Sequence, residues 1–162
     1  MNHGTFKDRA EPPGGSRGEH FGVHLTIDGY GGDPARLADR EFIQDWLDHL
    51  PAAIGMHKIA DPLLVEVGEL SDKDPGGLSG FVLIAESHIS IHTFPQRGFL
   101  SADVYTCQNR IEVERVLAHF REAFRLAEIE THLIPRGTQY PRHNIYGPHA
   151  PAERAPALAI SS

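Results

Sequence analysis

From residue 21 to 30 apolar and polar positions alternate, with Val23, Leu25 and Ile27 on one side and His24, Thr26 and Asp28 on the other. A period of two is that of a strand with one buried face. Asp33-Pro34 then supplies a helix cap and a proline at the first helical position. Leu37, Phe42, Ile43, Trp46, Leu47 and Leu50 recur at helical spacing, which predicts one amphipathic helix over 34–50 with Trp46 in the core. A strand is expected over 63–70 and a turn at Asp74-Pro75-Gly76-Gly77. Two strand-like runs, 78–85 and 88–94, follow closely, and Pro95-Gln96-Arg97-Gly98 turns the chain into a third, 99–107. Asn109, with Glu112 three residues on, has the spacing of a capping box. It precedes a helix marked by Val113, Val116, Leu117, Phe120, Phe124 and Ala127, and 129–134 reads as a last strand.

Two helices cannot cover both faces of such a sheet. The pattern therefore predicts an α+β fold: a two-layer sandwich, its sheet mostly antiparallel, with the helices on one face. The other face must meet solvent or a partner, and a homodimer would cover it. Residues 1–20, rich in Gly, Pro and charge, read as a flexible leader, and 148–162 as a low-complexity tail. The folded domain is expected over 21–147.

Composition narrows the function. With 40% of its 162 residues apolar, the chain can build one core without staples. A net charge of −7 argues against a general nucleic-acid binder and against attraction to anionic membranes. No apolar run approaches the roughly 18 residues of a membrane span, and the first twenty residues lack the apolar centre of a secretory signal. Cys107 is the single cysteine, so no intrachain disulfide forms and a reducing, cytoplasmic compartment is expected. Eleven histidines is the unusual count.

The densest polar cluster is Glu86-Ser87-His88-Ile89-Ser90-Ile91-His92-Thr93. On a strand His88, Ser90 and His92 share one face, and Asp103, Tyr105 and Cys107 share a face of the next strand. Pairing across the 95–98 turn would let the two faces meet. Three chemistries fit. A metal site is disfavoured, because His88 and His92, like His20 and His24, would stand about 13 Å apart on a strand. Cys107 with His92 could form a nucleophile pair, although a lone cysteine is often just a small apolar residue. Ser87 could attack the carbonyl of Glu86 in an acyl shift, a choice that spacing alone does not make. His24 and Ser90 read as structural, and His20, His143 and His149 need no role.

Gly77-Leu78-Ser79-Gly80, the Glu86–Pro95 run and Ala102-Asp103-Val104-Tyr105-Thr106-Cys107 closely resemble the short prokaryotic S-adenosylmethionine decarboxylases over about 21–140, and His24-Leu25 and Asp28 fit the family's opening. The resemblance implies a proenzyme that cuts itself at Glu86–Ser87 into a β chain, 1–86, and an α chain, 87–162. Ser87 becomes a covalent pyruvoyl group that forms a Schiff base with the substrate amine and draws electrons as CO₂ leaves; no metal is implied. Ser79 and His92 match the processing residues, with Ser79 assisting the acyl shift and His92 ester elimination. Cys107 matches the proton donor, a role that suits a thiol, since a free thiol has a pKa of about 8.5. A small-molecule substrate, a place in polyamine (spermidine) biosynthesis and a homodimer of αβ protomers are implied as well.

The match departs at two places. The family usually reads His-Thr-Trp-Pro-Glu, where this chain has His92-Thr93-Phe94-Pro95-Gln96, and Gln96 lacks the charge expected to hold the ribose hydroxyls. Lys73 stands where the family commonly carries an adenine-stacking Phe. Phe94, Gln96 and Lys73 are thus the candidate substrate contacts. L-ornithine or L-arginine, which need no nucleoside pocket, stand beside S-adenosylmethionine as the substrate. An uncleaved binding protein and a Cys107-dependent hydrolase are the rivals from other classes.

Overall fold

A computed structural model describes residues 20–141. The tail expected over 148–162 and all but His20 of the leader expected over 1–20 lie outside the described residues, as do His143 and His149. The elements run β1 (Gly22–Tyr30), α1 (Pro34–Ala38), α2 (Arg40–Ala53), β2 (Leu63–Val67), β3 (Gly77–Ile84), β4 (Ser87–Phe94), a single 3₁₀ turn (Pro95–Arg97), β5 (Phe99–Thr106), α3 (Val113–Phe124) and β6 (Glu128–Arg136). Six strands form one sheet in the order β2-β3-β4-β5-β1-β6, and every neighbouring pair is antiparallel. The two-layer α+β expectation therefore holds.

The alternation read from the sequence decides which face is buried. Leu25, Ile27, Val82, Ile84, Ile89, Ile91, Leu100, Ala102 and Val104 point under the helices and are buried. They meet Leu37 of α1, Ile43, Leu47 and Leu50 of α2, and Val116, Leu117, Phe120 and Phe124 of α3. Trp46 is half-buried and closes the seam between the helices, edge-on to Phe120 and Phe124 at 4.8 and 4.9 Å. Buried Thr93 ties the layers together: its hydroxyl donates to the Leu37 carbonyl at 2.8 Å and accepts from the Leu78 N–H at 3.1 Å. The opposite face carries the polar strand residues.

Several local expectations are corrected. The helix expected over 34–50 is broken at Asp39, whose extended backbone ends α1 while its carboxylate caps α2 by accepting the Phe42 N–H at 3.0 Å. A short acidic side chain that captures a backbone donor competes with helix continuation. The Asp33 cap of α1 is as expected, taking the Ala35 N–H at 2.9 Å. Asn109 and Glu112 do not form a capping box, since Glu112 itself precedes α3 and makes no side-chain cap. That helix stops at Phe124, with Arg125 in the left-handed conformation, before Ala127. β2 ends at Val67, short of 70, and β6 runs on to Arg136 through Pro135, which an edge strand accommodates.

Candidate active site

β3 and β4 are joined by the two-residue turn Ala85-Glu86, with Ile84 paired to Ser87. Ser87 has a φ of +152°, and the only other non-glycine positive φ among the described residues is the helix-ending Arg125. A side-chain-bearing residue there is strained by on the order of 1–3 kcal/mol. The carbonyl just before it, that of Glu86, accepts the Cys107 backbone N–H at 2.8 Å. Cys107 arrives there because β5 pairs with β4 in the register Ser87↔Thr106. Gly22 of β1 lets the strands close behind this turn, since a Cβ on it would stand 2.8 Å from the Cys107 Cα.

The Glu86 carboxylate is also held. It accepts the His57 backbone N–H at 3.1 Å and faces His57 Nδ1 at 2.7 Å, with only 11% of the side chain exposed. Burial pushes its pKa up, but the hydrogen bonds from His57 outweigh that and hold it below the ordinary glutamate value. The segment around His57 runs beside the turn: Ala85 N–H donates to the His57 carbonyl at 2.8 Å and Ile59 N–H to the Leu83 carbonyl at 3.1 Å. Nothing in the spacing of residues 57 and 86 could have announced this contact.

Ser79 and His92 stand directly opposite each other on β3 and β4, Oγ to Nδ1 2.9 Å. His92 is five residues along β4 from Ser87, about 16 Å at strand rise. The fold therefore unites Ser79 with His92, and Cys107 with Glu86 and Ser87, but holds the two groups apart within one chain. The Cys107–His92 nucleophile pair is corrected by the same register: His92 opposes Ser101, which puts Cys107 about 20 Å away. The strands do pair across the 95–98 turn, yet antiparallel pairing carries Cys107 away from that turn as it carries Ser87 away.

Phe94, Gln96 and Lys73 gather at the end of the sheet remote from Ser87. Phe94 stacks on Phe99 at 5.5 Å, and Gln96 is exposed in the 3₁₀ turn. Lys73 is exposed on a loop that Arg97 joins to that turn by donating to the Asp72 carbonyl at 2.7 Å. A groove of about 220 Å³ beside Ser79 and His92 is lined by Leu63, Val65, Phe81 and Ser90. The larger cavity of about 630 Å³, beside α2 at Arg40, Asp45 and Asp48, holds none of the expected site residues.

One network on the polar face exceeds the sequence reading. Arg136 Nη1 donates to His24 Nδ1 at 2.9 Å, so His24 carries its proton on Nε2 and donates to Asp103 at 2.8 Å. Ser90 donates to the other Asp103 oxygen at 3.1 Å. His24 and Ser90 were expected as structural residues, and here they fix one carboxylate between them. The alternation that put His24, Ser90 and Asp103 on polar faces was the available signal; the register that joins them was not.

A family model described as S-adenosylmethionine decarboxylase matches residues 23–137. The chain is 32% identical over 122 residues to the S-adenosylmethionine decarboxylase proenzyme of Thermococcus gammatolerans, covering 75% of this chain and 80% of that one. It is 33% identical over 124 residues to S-adenosylmethionine decarboxylase proenzyme 2 of Halalkalibacterium halodurans, covering 72% and 87%. The crystal structure of the adenosylmethionine decarboxylase from Aquifex aeolicus superposes with a TM-score of 0.61 at 30% identity, covering 73% of this chain and 92% of that one.

Proposed function

The chain belongs to the S-adenosylmethionine decarboxylase family, and from that premise we propose that it is a self-processing, pyruvoyl-dependent decarboxylase of S-adenosylmethionine, cut at Glu86–Ser87. The observation that carries this reading is the strained Ser87 whose preceding carbonyl already accepts the Cys107 N–H. A donor aimed at that oxygen favours the charge that develops there when a hydroxyl attacks, and strain raises the energy of the peptide that must break. Ser87 Oγ bonds to the Glu86 carbonyl carbon and the C–N bond breaks, leaving an ester. β-Elimination frees the Glu86 carboxylate, and hydrolysis releases the old amide nitrogen as ammonia, leaving pyruvoyl at position 87.

The surroundings fit such a group. Position 87 is half-buried at a strand end, one hydrogen bond from the loop that carries Cys107. A pyruvoyl group at position 87 would supply an electron sink for the substrate's decarboxylation. Cys107, exposed at that end of the sheet, delivers the proton that replaces CO₂ on the substrate carbon.

Ser79 and His92, about 16 Å from Ser87 along the same strand, are assigned to the turn of a second copy. The working form in this reading is a homodimer of αβ protomers joined through the polar sheet face, where Phe81 and Leu83 are 40% and 42% exposed. The same argument gives Phe94, Gln96 and Lys73 to the substrate of the opposite protomer. A second reading, decarboxylation of L-ornithine or L-arginine, is favoured by Gln96 and Lys73, which lie on segments joined by Arg97. In either case the product is an amine of polyamine biosynthesis.

Intact mass under denaturing conditions tests the processing. Two chains are expected, 1–86 and 87–162, the second lighter by one ammonia than its sequence requires. A single uncut chain would overturn the pyruvoyl reading and leave a binding protein. CO₂ release from S-adenosylmethionine, L-ornithine and L-arginine tests the substrate. Turnover of a basic amino acid without S-adenosylmethionine turnover would replace the first reading by the second.

A further inference from the structure

We propose that His88 is the base that activates Ser87 for self-cleavage, an inference that rests on the processing reading above. Its Nδ1 lies 3.3 Å from Ser87 Oγ, and it is the one side-chain partner of that hydroxyl among the described residues. The ring is held in place. It sits edge-on to Tyr105 of β5 at 5.7 Å and to His24 of β1 at 6.5 Å, with Leu83 of β3 paired opposite. His24 is itself fixed by Asp103 and by Arg136 of β6, so the groups that set the charge around His88 are Tyr105, His24, Asp103 and Arg136. The own-chain His92 is too distant to serve, at about 16 Å along the strand.

The geometry gives each proton a route. As Oγ bonds to the Glu86 carbon, its proton passes to His88 Nδ1. The carbonyl electron pair moves onto the Glu86 oxygen, where the Cys107 N–H receives it. When the carbonyl reforms, the C–N bond breaks, and His88 returns the same proton to the Ser87 nitrogen. The ring ends as it began, and the peptide has become an ester. His88 therefore serves the acyl shift, ahead of the elimination assigned to His92.

The test follows cleavage of freshly synthesised full chain in a cell-free system, for the parent, His88→Gln, and Ser87→Cys with and without His88→Gln. His88→Gln is expected to cut about 100-fold more slowly or worse, on the scale of a lost general base. It should hold no hydroxylamine-labile ester. In the Ser87→Cys background the same change should cost much less, because a free thiol, with a pKa of about 8.5, is already partly ionised at neutral pH and is intrinsically nucleophilic, whereas a merely structural role would cost the same in both. His88→Gln cutting at the parent rate, or stalling as a labile ester, would overturn the proposal. Equal losses in the serine and cysteine backgrounds would do so too. Failure of the parent itself to cut would instead remove the processing reading.

Discussion

The two ends of the β3–β4 hairpin differ in a way that separates two kinds of chemistry. At the turn, Ser87 is strained, its preceding carbonyl is polarised by the Cys107 N–H, and the neighbouring carboxylate is clamped by His57. Thirteen positions apart in sequence but directly paired in space, Ser79 and His92 sit on regular strand with a 2.9 Å hydrogen bond between them. In the proposed reading, one end breaks a bond and the other supplies a hydroxyl and an imidazole. A hairpin about 16 Å long between them cannot fold back on itself. In that reading, one chain would hold both halves of a processing site without bringing them together.

Ser87→Ala breaks the comparison most completely. It should abolish both cleavage and decarboxylation, and denatured mass should read one chain near 17.9 kDa. Any cut at Glu86–Ser87 in this variant would remove the Ser87 hydroxyl from the mechanism.

Next in size is complementation between the two ends. His92→Ala alone should fail to complete cleavage. Co-expressed with Ser87→Ala, which keeps Ser79 and His92, the His92→Ala chain should be cut. Mass spectrometry of differently tagged chains reads this directly. Cleavage that never recovers in the mixture would place the two groups in one protomer and contradict the strand geometry.

Cys107→Ala sharpens the comparison within the turn, because the backbone N–H survives while the thiol is lost. Cleavage should proceed, and decarboxylation should fall about 10²- to 10⁴-fold. Normal turnover would sink the proton-donor assignment, and failure to cut would mean the side chain matters to processing.

The smallest effect concerns the clamp on Glu86, read in the uncut Ser87→Ala background. Its folded pKa is depressed, so its stabilisation is complete above the ordinary glutamate value of about 4.3 and is lost as pH falls through the lower folded value. Replacing Glu86 by Gln should lower the unfolding midpoint by a few degrees at neutral pH, with the gap closing in acid. A gap that stays constant down to the acid limit would show that the carboxylate charge contributes nothing.

Much of this molecule is settled by local pattern. Alternation in β1, β3, β4 and β5 decided which side chains face the helices, because a period of two commits each residue to one side of a sheet. The helical spacing of Val113 to Phe124 did the same for α3, and Asp33-Pro34 marked where α1 starts. The resemblance around Ser87 likewise lies in contiguous residues, and it led to the family. Tertiary structure decided the rest, because the rest depends on partners far apart in the chain. Asp39 broke a helix whose periodicity ran on unbroken, His57 reached Glu86 across 29 residues, and His24 reached Asp103 across 79. Above all, the antiparallel register set which polar groups meet: it brought the Cys107 backbone to the Glu86 carbonyl and kept Cys107 from His92. Periodicity tells which face a residue occupies, whereas register, set by the packing of whole strands, tells whom it meets there.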